Sequence, residues 1–147
     1  MKKVLIFDDE PFIMDYLIKS LREIYGWNGD KEIDFVSTVG ELLNKTNSSD
    51  ETYSLFVLDV MVPMPSGDFK KQFTQQELDE MLGGMSTGLV IVKKIRQLER
   101  YTKTPVLYLS ARDIPNILDS EKEFTAYIRK PVSAEEISKK MNELLAN

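Results

Sequence analysis

The chain has 147 residues, enough for one domain with a full hydrophobic core. It contains no cysteine and no histidine, which excludes disulfides, thiolate metal sites, a Ser-His-Asp triad and a phosphohistidine carrier. The net charge of −5 divides into −6 over the first 59 residues, with 6 basic and 12 acidic groups, and +1 over the rest, with 13 and 12, so neither part suggests direct nucleic-acid binding.

Residues 1–7 are basic then apolar, but Asp8-Asp9-Glu10 ends the run too early for a signal peptide. No apolar run approaches the ~18 residues that a membrane span needs, and a cytoplasmic chain is expected. Residues 4–7 predict a strand buried on both faces. Pro11 then suits a first helical turn, Phe12, Ile13, Tyr16, Leu17, Leu21 and Ile24 follow at helical spacing, and Gly26 lies just past the end. Residues 33–36 predict a second strand; Val39, Leu42 and Leu43 predict a short second helix, and residues 44–52 a polar loop. Residues 55–58 are another buried-strand run, ending on Asp59. Residues 89–98 predict a helix with mixed apolar and basic faces, residues 105–109 a fourth strand and residues 126–128 a fifth. Ser133 to Glu136 is a capping-box pattern opening a final helix, with Ile137, Met141, Leu144 and Leu145 as its apolar positions.

Strands alternating with helices imply an α/β, doubly wound parallel sheet with helices on both faces. Such folds bind ligands at the carboxyl ends of their strands. That rule singles out Asp8 and Asp9, Asp59, Ser110 and Ala111, and Lys130. Any one of these acids alone reads as a helix cap or a solvated group. Three at neighbouring strand ends repel one another, and a divalent cation would relieve the repulsion. Mg²⁺ takes oxygen ligands and suits a site with few carboxylates and open positions that a phosphate can fill. Lys130, before Pro131, reads alone as a surface lysine; beside three acids it would pair with an aspartate or a phosphoryl oxygen. The Ser110 hydroxyl would cap a helix or donate to a phosphoryl oxygen. Ala111 offers a small side chain and an open backbone N–H.

The stretches 4–11 (VLIFDDEP), 58–63 (LDVMVP), 88–96 (GLVIVKKIR), 105–111 (PVLYLSA) and 127–131 (YIRKP) fall in this order on the predicted strand ends. Together they resemble the receiver domain of two-component response regulators over nearly the whole chain. The resemblance implies a flavodoxin-like, five-stranded sheet of order 2-1-3-4-5 and a single receiver domain over residues 1–147. It implies Asp59 as phosphoacceptor and Mg²⁺ as cofactor, held by Asp9 and Asp59, by the Met61 carbonyl, and by Asp8 mainly through water. Lys130 would contact the phosphoryl group, and its peptide bond to Pro131 would be cis, as it usually is in the family. Ser110 would be the switch hydroxyl, beside Ala111, and Tyr127 the aromatic coupled to it. The implied donor is a histidine kinase or a histidine phosphotransfer protein. A downstream protein partner would bind the face of that fold's fourth helix, fifth strand and fifth helix, with no direct nucleic acid and no membrane contact from this chain. The implied role is a signalling switch, not an enzyme acting on other molecules.

The chain departs from the family after the third strand. The glycine expected to open the third helix stands at Gly67 by spacing, but the helix that fits begins after Gly88. Residues 68–87 therefore read as an insertion. Within it Thr74 to Glu77 is a capping-box pattern, which predicts a helix over 74–82 that packs Leu78, Met81 and Leu82 against protein between mobile flanks at 66–71 and 83–87. This segment reads either as a surface elaboration or as a lid beside Asp59 that brings Lys70 and Lys71 near a phosphate. The chain stops after the last helix, so output is expected through protein contact or through a longer protein. Two other readings compete. A haloacid-dehalogenase-type enzyme would want an aspartate two positions after the nucleophile, where Met61 stands. A degenerate receiver, binding partners without phosphorylation, has the complete acid, serine and lysine set against it and the long insertion in its favour.

Overall fold

The computed structural model describes residues 2–48, 50–60, 67–82, 87–111 and 124–146. In chain order the elements are β1 (Lys2–Phe7), α1 (Pro11–Ile24), β2 (Lys31–Val36), α2 (Val39–Asn47), β3 (Leu55–Asp59), a 3-10 helix (Gly67–Gln72), α3 (Gln75–Leu82), α4 (Thr87–Ile95), a 3-10 turn (Glu99–Tyr101), β4 (Val106–Ser110), β5 (Thr125–Arg129) and α5 (Ala134–Ala146). The strands form one parallel sheet in the order β2-β1-β3-β4-β5. The sheet is buried on both sides because successive strand residues point to opposite faces. Val4, Ile6, Val57, Leu107 and Leu109 pack with α1 and α5, while Leu5, Phe7, Phe56, Leu58 and Tyr108 pack with α2, α3 and α4. Among the described residues no helix is long and apolar enough to cross a membrane.

Register places the carboxyl ends together. Phe7 pairs with Leu58, so one step further along both strands brings Asp8 level with Asp59. Asp59 pairs with Leu109, and Ser110 pairs with Arg129, the residue before Lys130.

Three sequence expectations need correction. Residues 44–47 are helical, not loop. Thr38 caps the start of α2 by accepting the Glu41 N–H at 3.1 Å, and the Arg100 guanidinium donates to the Thr46 and Ser48 carbonyls at its end. A distant side chain thus satisfies the terminal carbonyls that the polar sequence leaves open. The helix placed at 89–98 runs instead from Thr87 to Ile95, and Gln97 and Leu98 close it with backbone bonds to Lys94 and Ile95. In α1 the buried face is Met14, Ile18 and Leu21, whereas Phe12 and Tyr16 are 91% and 79% exposed. Two residues along a helix is about 200° around it, so Phe12 and Tyr16 sit opposite Met14 and Ile18.

The helix expected at 74–82 is present, with Thr74 as its cap: Thr74 Oγ1 accepts the Glu77 N–H at 3.1 Å and Glu77 Oε1 accepts the Thr74 N–H at 2.7 Å. Leu78 and Met81 are buried in the α4 side of the core together with Phe73. Leu82 is not: it is 72% exposed, about 100° round the helix from Met81. Where they are described, the flanks are helical: Gly67–Gln72 is a 3-10 helix and Thr87 opens α4; residues 66 and 83–86 lie outside the described residues. This packing answers a feature of α4. Val90, Ile91 and Val92 are consecutive and all buried, which covers roughly 200° of the helix surface, more than the sheet alone can shield. α3 covers the remainder, and Glu77–Lys94 (3.2 Å) and Glu80–Lys93 (2.9 Å) ion pairs flank the seam.

If α3 is part of the core, Leu78→Ala and Met81→Ala each lower unfolding stability by about 2 kcal/mol or more in chemical denaturation. Leu82→Ala, at a solvated position, changes it by less than about 0.5 kcal/mol.

Candidate functional site

β1 and β3 end in acids at the same level of the sheet, and the cluster follows from that register. One carboxylate oxygen from each of Asp8, Asp9 and Asp59 lies within 4.8 Å of the others. Asp8 and Asp59 are buried, while Asp9 is partly exposed. Lys130 enters from the end of β5: its Nζ donates to Asp8 Oδ2 at 2.9 Å and to Asp59 Oδ2 at 3.3 Å. Its backbone N–H donates to the Ser110 carbonyl at 2.7 Å, fixing where the side chain starts, and the Lys130–Pro131 peptide is cis. The other Asp8 oxygen accepts the Glu10 N–H at 2.9 Å, in the turn that leads into Pro11 and α1.

Charge decides what this arrangement favours. Three carboxylates and one ammonium leave a net of two negative charges in a largely buried space. Burial of the Lys130 ammonium disfavours its charge, but the hydrogen bond and charge of Asp8, then those of Asp59, outweigh that and hold its pKa above the ordinary 10.5. A second lysine with three acids lies at the amino-terminal edge of the sheet, where Lys3 meets Glu32, Asp34 and Glu51 at 3.8, 3.4 and 2.6 Å. There the Glu32 and Glu51 side chains are 47% and 39% exposed, and water screens them. At the carboxyl edge the Asp8 and Asp59 side chains are 1% and 7% exposed, so the excess negative charge is unscreened. The donor set is all oxygen, which fits a hard divalent cation.

Of the residues singled out from sequence, Asp8, Asp9, Asp59 and Lys130 come together. Ser110 is buried at the end of β4, one residue beyond the partner of Asp59, and Ala111 beside it is exposed. Tyr127 stands on β5 opposite Tyr108 and is 44% exposed. Met61, expected to offer a carbonyl, lies outside the described residues. Lys70 and Lys71 belong to the 3-10 helix before α3. One participant escaped sequence reading. The Gly88 N–H donates to the Val60 carbonyl at 3.3 Å, so the start of α4 rests on the backbone just after Asp59. A glycine beside a helix start is an ambiguous signal, and only the packed structure shows what it touches.

No family model matches the chain. Among curated proteins it is similar to the sensory transduction protein LytR of Staphylococcus haemolyticus (strain JCSC1435), 28% identical over 142 residues that make up 97% of this chain and 44% of that protein. The chain thus spans less than half the length of that relative. Among solved structures it is similar to chemotaxis protein CheY4 of Vibrio cholerae (22% identity, TM-score 0.67, 98% of both chains). It is also similar to a Francisella response regulator receiver domain (24% identity, TM-score 0.66, 99% and 98% of the two chains). A third neighbour is the receiver domain of a sensor histidine kinase from Pseudomonas aeruginosa PAO1, which holds a magnesium ion in its active-site cleft (13% identity, TM-score 0.66, 99% and 98%). These likenesses establish the fold: it is the flavodoxin-like fold of receiver domains, with the strand order expected from sequence.

The Lys130 pairing has a pH signature. A lysine whose folded pKa is raised contributes stability that is fully present below its unfolded value and is lost as pH rises through the folded one, so the window lies above about pH 10.5. In metal-free buffer, NMR titration of the lysine side chains should show Lys130 deprotonating later than the exposed lysines. Asp8→Asn should move its midpoint down.

Proposed function

We propose that the chain is a receiver domain of a two-component phosphorelay, a signalling switch that accepts a phosphoryl group on Asp59. The observation that carries this reading is the pairing of a buried Asp59 carboxylate with the Lys130 ammonium inside a cluster of carboxylates at the carboxyl edge of the sheet. In this reading residues 1–147 are one receiver domain and residues 68–87 are inserted between its third strand and the helix α4. Similarity to a sensory transduction protein, to a response regulator receiver domain and to the receiver domain of a sensor histidine kinase supports it.

The chemistry follows from the groups present. An Asp59 oxygen attacks the phosphorus of a phosphohistidine on a histidine kinase or phosphotransfer protein. The P–N bond breaks, the imidazole leaves with its electron pair, and an acyl phosphate remains on Asp59. This chain has no histidine, so the donor is a separate group. Asp9 and Asp59, with Asp8 and the Met61 carbonyl, would hold Mg²⁺, which when bound supplies positive charge for the oxygens of the transferring group. Lys130 supplies the second positive charge, already within reach of Asp59. Hydrolysis by water returns the aspartate and releases phosphate, resetting the switch. The acyl phosphate brings new acceptor oxygens, and Ser110, one residue beyond the strand partner of Asp59, and the Ala111 N–H would donate to them. Tyr127 and the β5–α5 surface would carry the change to a downstream protein. The helix expected to share that surface falls within residues 112–123, outside the described residues. In this reading the chain acts in the cytoplasm.

Incubation with Mg²⁺ and acetyl phosphate should add one phosphoryl mass to the wild type and none to Asp59→Asn. Retention of the adduct in that variant removes Asp59 as acceptor. A wild type that gains no adduct under these conditions makes the chain an interaction module that works without phosphorylation. In NMR titrations Asp9→Ala should weaken Mg²⁺ binding by at least tenfold, about 1.4 kcal/mol, and undiminished binding would place the cation elsewhere.

A further inference from the structure

Gly88 is the second residue of α4 and sits hard against backbone. A Cβ at this position would lie 2.9 Å from the Asp59 carbonyl oxygen, 2.9 Å from the Val60 Cα and 3.1 Å from the Val60 carbonyl oxygen. All three are backbone atoms, so no flexible side chain can swing aside. Three other glycines contrast sharply: Gly26, Gly29 and Gly67 have nothing within 4 Å of the same point. Gly26 and Gly67 are needed for their positive φ of 79° and 59°, whereas Gly88 lies outside the left-handed region. Its requirement for glycine is therefore one of space.

What a methyl group at Gly88 would displace depends on which side can yield. α4 is held from behind by the buried side chains of Phe73, Leu78 and Met81 and by the Glu77–Lys94 and Glu80–Lys93 ion pairs. The Lys94 ammonium also lies 5.4 Å from the centre of the Phe73 ring. On the other side, the Asp59–Val60 segment is the end of a strand, held there by the Val60 N–H to Leu109 carbonyl bond at 3.1 Å. If the strand end is the side that gives, the displacement falls on the segment that carries the Asp59 carboxylate.

We propose that Gly88 is a positioning residue for Asp59: its missing side chain lets α4 seat on the Asp59–Val60 backbone, and the 67–82 segment clamps α4 in that seat so that the carboxylate faces Lys130 and Asp9. This rests on the reading of Asp59 as the acceptor. It gives the 67–82 segment a role in the reaction without any contact between that segment and the phosphoryl group.

The test uses the full chain and four proteins: wild type, Gly88→Ala, the open-site control Gly29→Ala, and Gly88→Ala combined with Glu77→Gln and Glu80→Gln. The glutamines remove the charges that pin α4, and Gln at residue 77 keeps the capping pattern. Each protein is read in three ways: by the Asp59 and Val60 backbone amide shifts without metal or phosphodonor, by the kcat and KM for acetyl phosphate with Mg²⁺, and by thermal melting. Gly88→Ala should shift both amides and lower kcat at least tenfold with little change in KM, because displacements of about 1 Å can cost as much as a hundredfold. Gly29→Ala should match the wild type. Loosening the clamp should restore part of the lost kcat and return the amides toward wild type while lowering the melting temperature. A merely destabilising substitution cannot produce those opposite movements. A Gly88→Ala protein with wild-type amides and kcat, or a combined variant that loses kcat in step with stability, overturns the proposal. If the wild type itself forms no adduct, the reading of Asp59 as acceptor fails. The amide shifts then decide the geometric claim alone: displacement reversed by the glutamines supports it, and unmoved amides refute it.

Discussion

The ammonium of Lys130, held between Asp8 and Asp59, is the interaction on which the site depends. Two buried carboxylates at adjacent strand ends are costly unless positive charge reaches them. The parallel register of β1 and β3 forces that adjacency, and the end of β5 brings the one cation that the described structure shows bonded to both. Lys130 cannot balance three acids. In the proposed function the remaining negative charge would make the edge receptive to a divalent cation and, through it, to a phosphoryl group. Folding and function therefore pull on the same groups. The carboxylates that weaken the fold without a counter-ion are those from which the proposed switch, responsive to metal and phosphate, would be built.

The second constraint acts through the backbone. A helix start resting on Val60 fixes the residue next to Asp59, and α4 is itself wedged between the sheet and α3. The apolar run Val90-Ile91-Val92 would leave hydrophobic surface in water if α3 were absent. The 67–82 segment is thus part of how this chain completes its core. It also lies in a mechanical line with the site: α3 to α4 by packing and ion pairs, α4 to the strand end by the missing Cβ of Gly88.

Most of the fold was legible in the residues because buried parallel strands read as continuous apolar runs, and those of residues 4–7, 55–58 and 105–109 are unambiguous. Acids directly after two such runs, and Lys-Pro after a third strand, located the edge of the site before any coordinates. What failed did so where tertiary contact overrides local pattern. Asn44 to Asn47 look like loop until the Arg100 guanidinium is seen capping the helix end. Leu82 looks like the third member of an apolar row, yet it is exposed. Phe12 and Tyr16 suit the helical period, but a period does not say which of two apolar stripes faces the sheet. Gly88 was visible only as a landmark; its role is a distance of closest approach, which no single-residue pattern encodes.

The account stands or falls on the covalent chemistry at one residue. After phosphotransfer from acetyl phosphate in Mg²⁺, borohydride reduction followed by peptide mapping distinguishes an acyl phosphate from a phosphoester, because only the acyl phosphate is reduced to an alcohol. Homoserine at residue 59, and at no other aspartate, is the predicted result. A phosphoester that survives reduction on Ser110 or another hydroxyl, or reduction at Asp8 or Asp9 in place of Asp59, would contradict it.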